Sequence, residues 1–216
     1  HPTRGQIPPD EFIPVAEELG LIDAIGTWVF ERAIDFILHW RALCPTSADM
    51  QIAVNASPQQ FLRGQSLEVL MLRLESVGLP GSCISIEITE GLLLDEQPVV
   101  IAQLARLSAA GIQVSIDDFG TGYSAMAYLK RLDIDTLKID RSFVRDLTTD
   151  PGDLAITEAI IAMAHKLDIK VVAEGVETLA QQERLSAAGC DYSQGFLFSR
   201  PLPEAAFFDL IASPAP

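Results

Sequence analysis

Residue types that build many hydrolytic sites are scarce in this sequence of 216 residues. The cysteines are odd in number and share no metal-ligand spacing: Cys44, Cys83 and Cys190. A reduced, cytoplasmic setting follows from that usage. The histidines are equally few and lie far apart in the chain: His1, His39 and His165. This scarcity disfavours zinc hydrolases and Ser/His/Asp hydrolases.

Basic residues are also in the minority, since 15 lysines and arginines stand against 30 aspartates and glutamates, a formal net charge of −15. That charge repels polymeric nucleic acids and anionic membranes. A small anionic ligand stays compatible with it, because bound cations reverse the field locally. No apolar run reaches membrane-spanning length. We expect a cytoplasmic protein, or a cytoplasmic domain of a membrane-tethered one.

The chain has the composition of one globular domain, with 49% hydrophobic and 21% charged residues. Short β-branched runs alternate with longer helical segments. The runs predict strands at 51–56, 83–89, 113–118, 136–140, 170–174 and 193–198. Apolar residues at helical spacing predict two buried helix faces, the first formed by Ile22, Ile25, Val29, Ala33, Phe36 and Trp40 and the second by Ile156, Ile160, Met163 and Leu167.

This alternation predicts an α/β fold with parallel strands. An open doubly wound sheet and a (β/α)8 barrel both fit it. A barrel has eight strands in about 250 residues, so six strands would leave it two short. The count by itself suits either architecture, and the placement of polar residues has to separate them.

Each predicted strand carries polar residues, most of them near its carboxyl end, which are Asn55, Glu87, Asp117, Asp118, Lys138, Glu174 and Gln194. Because strand side chains alternate between faces, Ser85 and Glu87 share one face, as do Ser115 and Asp117. Barrel active sites form at the carboxyl ends of the strands. One polar position on every strand favours a barrel over an open sheet, which uses a single crevice.

These side chains offer carboxylate and amide oxygens as possible metal ligands, together with the amine of Lys138. Carboxylate and amide oxygens suit Mg²⁺ or Mn²⁺. Adjacent aspartates predict two ions, one shared, which is an arrangement typical of phosphodiester hydrolysis. Lys138 would add a fixed positive charge. Each residue taken alone also fits a structural role, such as a cap, a turn or an ion pair. Their recurrence on successive strands favours a site.

Seven segments carry a resemblance to a known family, namely PDEFIPVAEE at 9–18, VNAS at 54–57, EITE at 87–90, DDFGTGYS at 117–124, LKID at 137–140, VAEGVE at 172–177 and QGFLFSRP at 194–201. Together they closely resemble the EAL domain, a bacterial cyclic-di-GMP phosphodiesterase family. The resemblance runs from about residue 9 to about residue 208. It implies a variant (β/α)8 TIM-like barrel with one antiparallel strand.

The resemblance implies hydrolysis of cyclic di-GMP to linear pGpG with two ions, Mg²⁺ or Mn²⁺. One ion would be held by Asn55, Glu87 and Asp117. The second would be held by Asp117, Asp118 and Glu174.

Further roles follow from the same resemblance. Lys138 would orient or polarise the attacking water, with Glu174 as the other catalytic residue. Gln194 and Asn55 would contact substrate, and Glu90 would support the loop 118–124. A homodimer and an upstream sensor or GGDEF domain are also implied.

One motif of the family is not in the sequence. The Glu-Ala-Leu tripeptide that names it belongs to a strand just upstream of this segment. We therefore expect 1–216 to be a single EAL-type domain that is incomplete at its N-terminus, without its first two strands.

Two other functions stay open at the level of sequence. The first is a catalytically inactive EAL-type receptor for cyclic di-GMP, which usually lacks several metal ligands. The second is enolase-like proton abstraction with Mg²⁺ and a lysine base. The Asn ligand and the long DDFGTGYS loop disfavour the enolase-like reading.

Overall fold

The computed structural model describes residues 1–44, 50–94, 97–122 and 129–212, which form two compact units, His1–Thr136 and Leu137–Pro216. The strands are β1 (Ile52–Asn55), β2 (Ile84–Thr89), β3 (Gln113–Phe119), β4 (Thr136–Ile139), β5 (Lys170–Ala173) and β6 (Tyr192–Ser193). The N-terminal helices are α1 (Pro9–Glu18), α2 (Ile22–Leu43), α3 (Pro58–Arg63), α4 (Gln65–Val77), α5 (Glu90–Leu94) and α6 (Pro98–Ala109). The C-terminal helices are α7 (Arg141–Arg145), α8 (Pro151–Lys166), α9 (Leu179–Ala187) and α10 (Glu204–Ala212).

In the N-terminal unit the strands β1, β2 and β3 pair in parallel, with β2 in the middle. The register places Asn55 beside Glu87, Glu87 beside Ser115 and Thr89 beside Asp117. All six residues of β2 except Thr89 are buried. The strand is isoleucine-rich on one face and polar on the other, so its polar face must find partners inside the fold.

The polar face of β2 begins with a buried pair of serines. The Oγ atoms of Ser85 and Ser115 lie 2.8 Å apart, and both residues are buried. On the opposite face Ile84, Ile86 and Ile88 are almost completely inaccessible to solvent. The predicted alternation of faces along β2 and β3 is therefore confirmed.

The C-terminal unit holds β4, β5 and β6 in that order, with β5 and β6 parallel. Val172 pairs with Tyr192 and Ala173 with Ser193. The prediction of an α/β fold with six strands and parallel pairing is confirmed. Among the helices that the structure describes, none combines the length and the apolar character needed to cross a membrane.

The sixth predicted strand, 193–198, is wrong beyond its first residue. The strand β6 ends at Ser193, and a turn follows in which the amide of Phe198 donates to the carbonyl of Gly195 at 3.1 Å. The amide of Leu197 donates to Val176 at 3.0 Å, so this segment bonds to the loop after β5. The apolar run was typical of a strand, but its hydrogen bonds go elsewhere.

The buried faces of helices α2 and α8 differ from the faces predicted by apolar periodicity. The buried face of α2 contains Gly26, Phe30, Ile34 and Ile37 beside three residues of the predicted set, Ile22, Ala33 and Trp40. The predicted positions Ile25, Val29 and Phe36 are only half-buried.

The face of α8 is likewise displaced, because it buries Thr157, Ile161 and Ala164 with Ile160, whereas Ile156 is 43% exposed. Apolar periodicity gives no weight to small or polar residues such as Gly26 and Thr157. Those residues face the core because they allow close packing there.

Candidate functional site

The first part of the site is the carboxyl end of β1 and β2. Asn55 and Glu87 are register partners, and the amide of Ala56 donates to the carbonyl of Glu87 at 2.9 Å. Glu87 is only 6% exposed, whereas Asn55 is exposed. Register partners in a parallel pair share a face. Asn55 and Glu87 therefore lie side by side on one face of the sheet, near the carboxyl ends of β1 and β2.

Helix α3 begins directly after this strand end and fixes the chain that follows Asn55. Ser57 is its N-cap and accepts a hydrogen bond from the amide of Gln59 at 3.2 Å, while Pro58 occupies the first turn. The side chain of Gln60 accepts from the amide of Ser57 at 2.9 Å, completing a capping box. The hydroxyl of Ser57 also donates to Glu17 of α1. The loop that carries Asn55 is thus held from two sides.

The second part of the site is the end of β3. Asp117 is half-buried, Asp118 is exposed, and a carboxylate oxygen of each lies within 4.8 Å of the other. Asp118 has a left-handed backbone with φ of 54°, and its amide donates to Asp117 Oδ1 at 3.1 Å. The turn at Asp118 therefore brings the negatively charged carboxylates of Asp117 and Asp118 close together. Adjacent carboxylates of this kind suit a cation bound between them.

Glu90, the first residue of α5, contacts the loop after β3. It is 4% exposed, and its Oε2 accepts a hydrogen bond from the amide of Gly120 at 3.3 Å. A Cβ on Gly122 would lie 3.2 Å from the same oxygen, so glycine leaves room for the carboxylate. This is the contact that a loop-supporting Glu90 needs. Tyr123 and Ser124, at the end of the predicted loop, lie outside the described residues.

In the C-terminal unit, Lys138 and Glu174 form an ion pair. Lys138 Nζ lies 2.7 Å from Glu174 Oε1, with side-chain exposures of 6% and 19%. The amide of Glu174 donates to the carbonyl of Ile139 at 3.1 Å, which fixes the end of β5 against β4. The strand β5 ends at Ala173, so Glu174 is the first residue beyond it rather than its last. Shielding from water strengthens the attraction between the two charges.

Gln194 lies just beyond β6 and is exposed. Its backbone is bonded on both sides, because its amide donates to Ala173 at 2.8 Å and its carbonyl accepts from Val176 at 3.0 Å. A Cβ on Gly195 would lie 2.2 Å from the carbonyl oxygen of Val176, so only glycine fits there. The backbone of Gln194 is thus fixed by hydrogen bonds on both sides, and its side chain is exposed. This is the arrangement expected of a residue that contacts a ligand.

Within each unit, some of the predicted site residues lie close together. The N-terminal unit brings Asn55 to Glu87 and Asp117 to Asp118, and the C-terminal unit pairs Lys138 with Glu174. The donor atoms in the N-terminal unit are carboxylate and amide oxygens, which fits Mg²⁺ or Mn²⁺ and not a thiolate-preferring metal.

Sequence reasoning missed two buried glutamines next to these strand ends, Gln60 and Gln181. The available signal was the capping-box spacing, in which Ser57 and Thr178 each precede a glutamine by three residues.

Comparison with known proteins gives one family and several relatives. The EAL domain family model matches residues 1–201. The Pseudomonas aeruginosa "Bifunctional diguanylate cyclase/cyclic di-GMP phosphodiesterase MucR" is 45% identical over 203 residues, 94% of this chain and 29% of that protein. The P. aeruginosa "Cyclic di-GMP phosphodiesterase NbdA" is 43% identical over 212 residues, 98% of this chain and 27% of that protein. The chain spans less than a third of either relative.

Solved structures share the fold. "PaMucR Phosphodiesterase, c-di-GMP complex" has a TM-score of 0.89 at 44% identity, covering 96% of this chain and 83% of that one. "Klebsiella pneumoniae BlrP1 pH 6 manganese/cy-diGMP complex" has a TM-score of 0.77 at 32% identity, covering 93% of this chain and 49% of that one. Both names state a complex with the cyclic dinucleotide, and the second also names manganese.

Proposed function

Because the chain belongs to the EAL domain family, we propose that it hydrolyses one phosphodiester bond of cyclic di-GMP and releases linear pGpG. The observation that carries this proposal is that the family's polar residues are present at the strand ends of a chain 44% identical to a phosphodiesterase solved with cyclic di-GMP. The paired Asn55 and Glu87 and the buried Lys138–Glu174 pair support it further.

Two divalent cations suit the donor chemistry. We assign Asn55, Glu87 and Asp117 to the first ion and Asp117, Asp118 and Glu174 to the second. The first set rests on three neighbouring strands of one unit, and Glu174 joins the second set by its resemblance to the family. When bound, such a pair activates a water and neutralises charge on the phosphodiester. Mg²⁺ and Mn²⁺ both fit oxygen donors.

The residues of the chain supply the remaining functions. Lys138, held 2.7 Å from Glu174, supplies a fixed positive charge that orients or polarises the attacking water and stabilises negative charge that develops during hydrolysis. Gln194 pairs its amide with the edge of a guanine, since a carboxamide both donates and accepts. Glu90 keeps the backbone after Asp118 in place through Gly120.

The test is a product assay on the intact protein with cyclic di-GMP and either Mg²⁺ or Mn²⁺, resolved by chromatography. We expect one pGpG for each cyclic di-GMP consumed. Tight binding of cyclic di-GMP without product would contradict hydrolysis and support the receptor function. An absence of both binding and product would contradict the nucleotide as ligand and return attention to an enolase-like reaction.

We further propose that this domain works within a longer protein, as a homodimer, together with a sensor or GGDEF domain. The relatives support the longer protein, because the matched region is only 29% of MucR and 27% of NbdA. The name of MucR assigns a diguanylate cyclase activity to that protein as well. Light scattering of the intact protein at micromolar concentration tests the dimer.

A further inference from the structure

Gln181 of α9 has the full set of hydrogen bonds that a carboxamide can form. It is 6% exposed. Its Oε1 accepts from the amides of Glu177 and Thr178 at 2.8 and 2.9 Å. Its Nε2 donates to the carbonyls of Val144 and Arg145, both at 3.1 Å. Two donors and two acceptors are thereby satisfied, which makes the position of this side chain unusually well defined.

The four partners belong to the two segments that follow the ion pair. Val144 and Arg145 end α7, the helix that follows β4 and Lys138. Glu177 and Thr178 end the loop that follows β5 and Glu174. The two segments are therefore joined at two points. One is the 2.7 Å contact between Lys138 and Glu174, and the other is the side chain of Gln181.

The same two segments also touch near the ion pair. Gly175 has φ of 70°, and a Cβ there would lie 2.7 Å from the Cβ of Arg141, the first residue of α7. The loop after Glu174 thus lies directly on α7, and Gln181 fixes how far along that helix it sits. Every bond of the Gln181 side chain goes to backbone, so it places whole segments rather than single side chains.

We propose that Gln181 is a positioning residue that sets the separation of Lys138 and Glu174. This rests on the proposed function, which gives that pair its part in hydrolysis. An ion pair alone tolerates a range of separations, up to about 4 Å between nitrogen and oxygen. Displacement of about 1 Å can greatly reduce a reaction rate, so the reaction needs a narrower range than the ion pair imposes.

A role in helix capping alone predicts a different result. The hydroxyl of Thr178 accepts from the amide of Gln181 at 3.3 Å and caps α9. Thr178→Ala removes that cap and leaves the four side-chain bonds of Gln181 intact. It is therefore the matched control. Gln182→Met is a second control, because the side chain of Gln182 makes no hydrogen bond among the described residues.

The experiment compares Gln181→Met with both controls in the intact protein, at a temperature well below every melting point. Methionine keeps the length of the side chain and removes all four bonds. We expect kcat to fall about 10–100-fold with KM changed less than about 3-fold, the size typical of residues that orient ligands. Thr178→Ala should lower the melting temperature and leave kcat within about 2-fold of wild type. Equal losses of kcat in the two variants would overturn the proposal.

Two further readouts separate this proposal from the proposed function. In a Lys138→Ala background, Gln181→Met should lower kcat no further, whereas an additional full loss would overturn the positioning role.

If wild type shows no hydrolysis, the proposed function fails. A crystal structure of Gln181→Met still tests whether Gln181 sets the separation of Lys138 and Glu174. A separation of Lys138 and Glu174 that is longer than the 2.7 Å of the wild type supports the proposal, and an unchanged contact overturns it. Gln181→Glu, which keeps the two acceptor bonds, replaces the methionine variant if that one does not fold.

Discussion

At the scale of single residues, Asp117 is the position on which both proposed ions depend. Asp117→Asn keeps the size of the side chain and removes its charge. We expect kcat for cyclic di-GMP to fall by about 10²–10³-fold or more, because both ions lose the negative charge and the bridging carboxylate of a shared ligand. The measurement is pGpG release in Mg²⁺ and in Mn²⁺, with the exposed Asp10→Asn as control. Near-normal turnover of Asp117→Asn would contradict a shared ligand.

Lys138 is predicted to act in catalysis and in stability together. Lys138→Ala removes the cation that lies 2.7 Å from Glu174, whose side chain is 19% exposed. Loss of one member of a shielded pair costs roughly 3 kcal/mol or more. We expect kcat to fall far more than KM rises, because the charge is needed most where negative charge develops.

The measurement for Lys138→Ala is steady-state kinetics combined with urea unfolding. Lys166→Ala, at an exposed position of α8, is the control and should change neither. A raised KM at unchanged kcat would make Lys138 a residue that binds the ground state of the substrate.

The residues of the proposed site could be selected from the sequence because polar residues at strand ends carry a strong chemical signal. A carboxylate after a run of isoleucines, as at Glu87, is costly to bury and so points to a partner or a ligand. Gln181 and Gln60 gave no such signal, because glutamine on a helix is typical of an exposed face. The side chain of Gln181 bonds to backbone distant in sequence, such as the carbonyl of Val144, 37 residues away. Gln60 has local hydrogen bonds, but it is buried beside Gly26 of another helix.

At the scale of elements, helices α2 and α3 pack closely against each other at Gly26. A Cβ on Gly26 would lie 1.8 Å from Gln60 Nε2, and Gln60 is only 2% exposed. The Nε2 of Gln60 donates to Ser66 at 3.2 Å while its Oε1 holds the amide of Ser57. The side chain of Gln60 cannot move aside without losing these bonds.

Gly26→Ala is therefore expected to lower the free energy of unfolding by about 1–3 kcal/mol, since overpacking exceeds the gain of up to about 1 kcal/mol from helix propensity. Gly91→Ala in α5, where nothing lies within 4 Å of an added Cβ, is the matched control and should be neutral or stabilising. Urea unfolding of both variants gives the comparison. A stabilised Gly26→Ala would show that Gln60 relocates freely.

Element boundaries were predictable where hydrogen bonds are local and not where they are distant. Strands β2 and β4 end within a residue of their predicted limits, because their β-branched runs are also their paired residues. The turn after β6 was missed, because the amide of Leu197 bonds to Val176 in another loop. Helix faces were displaced for a related reason, since tight packing selects glycine at 26 and not the more apolar Ile25.

At the scale of the whole molecule, the formal charge of −15 makes divalent cations favourable partners. A cation that binds only the folded state at 100 times its Kd stabilises that state by about 2.7 kcal/mol. For a domain of this length we expect Mn²⁺ or Mg²⁺ to raise the melting temperature by about 5–10 °C.

The control for this shift is NaCl at matched ionic strength, which screens charge without occupying the proposed site. Asp117→Asn should lose most of the shift caused by Mn²⁺. If NaCl reproduces the full shift, or Asp117→Asn retains it, the cation acts through general screening and not through these ligands.

The left-handed backbone of Asp118 sets stability and activity against each other. A non-glycine residue at φ of 54° costs about 1 kcal/mol relative to glycine, and Asp118 also lies close to the negative charge of Asp117. Asp118→Gly should therefore make the metal-free protein more stable to urea in EDTA, by about 0.5–1 kcal/mol, and abolish pGpG release. Asp168→Gly, at φ of 61° between α8 and β5, should be stabilised similarly and keep full activity. A less stable Asp118→Gly would mean that this aspartate is retained for folding. A gain of stability together with a loss of activity in Asp118→Gly would mean that selection for turnover keeps aspartate at this position, although glycine would favour folding.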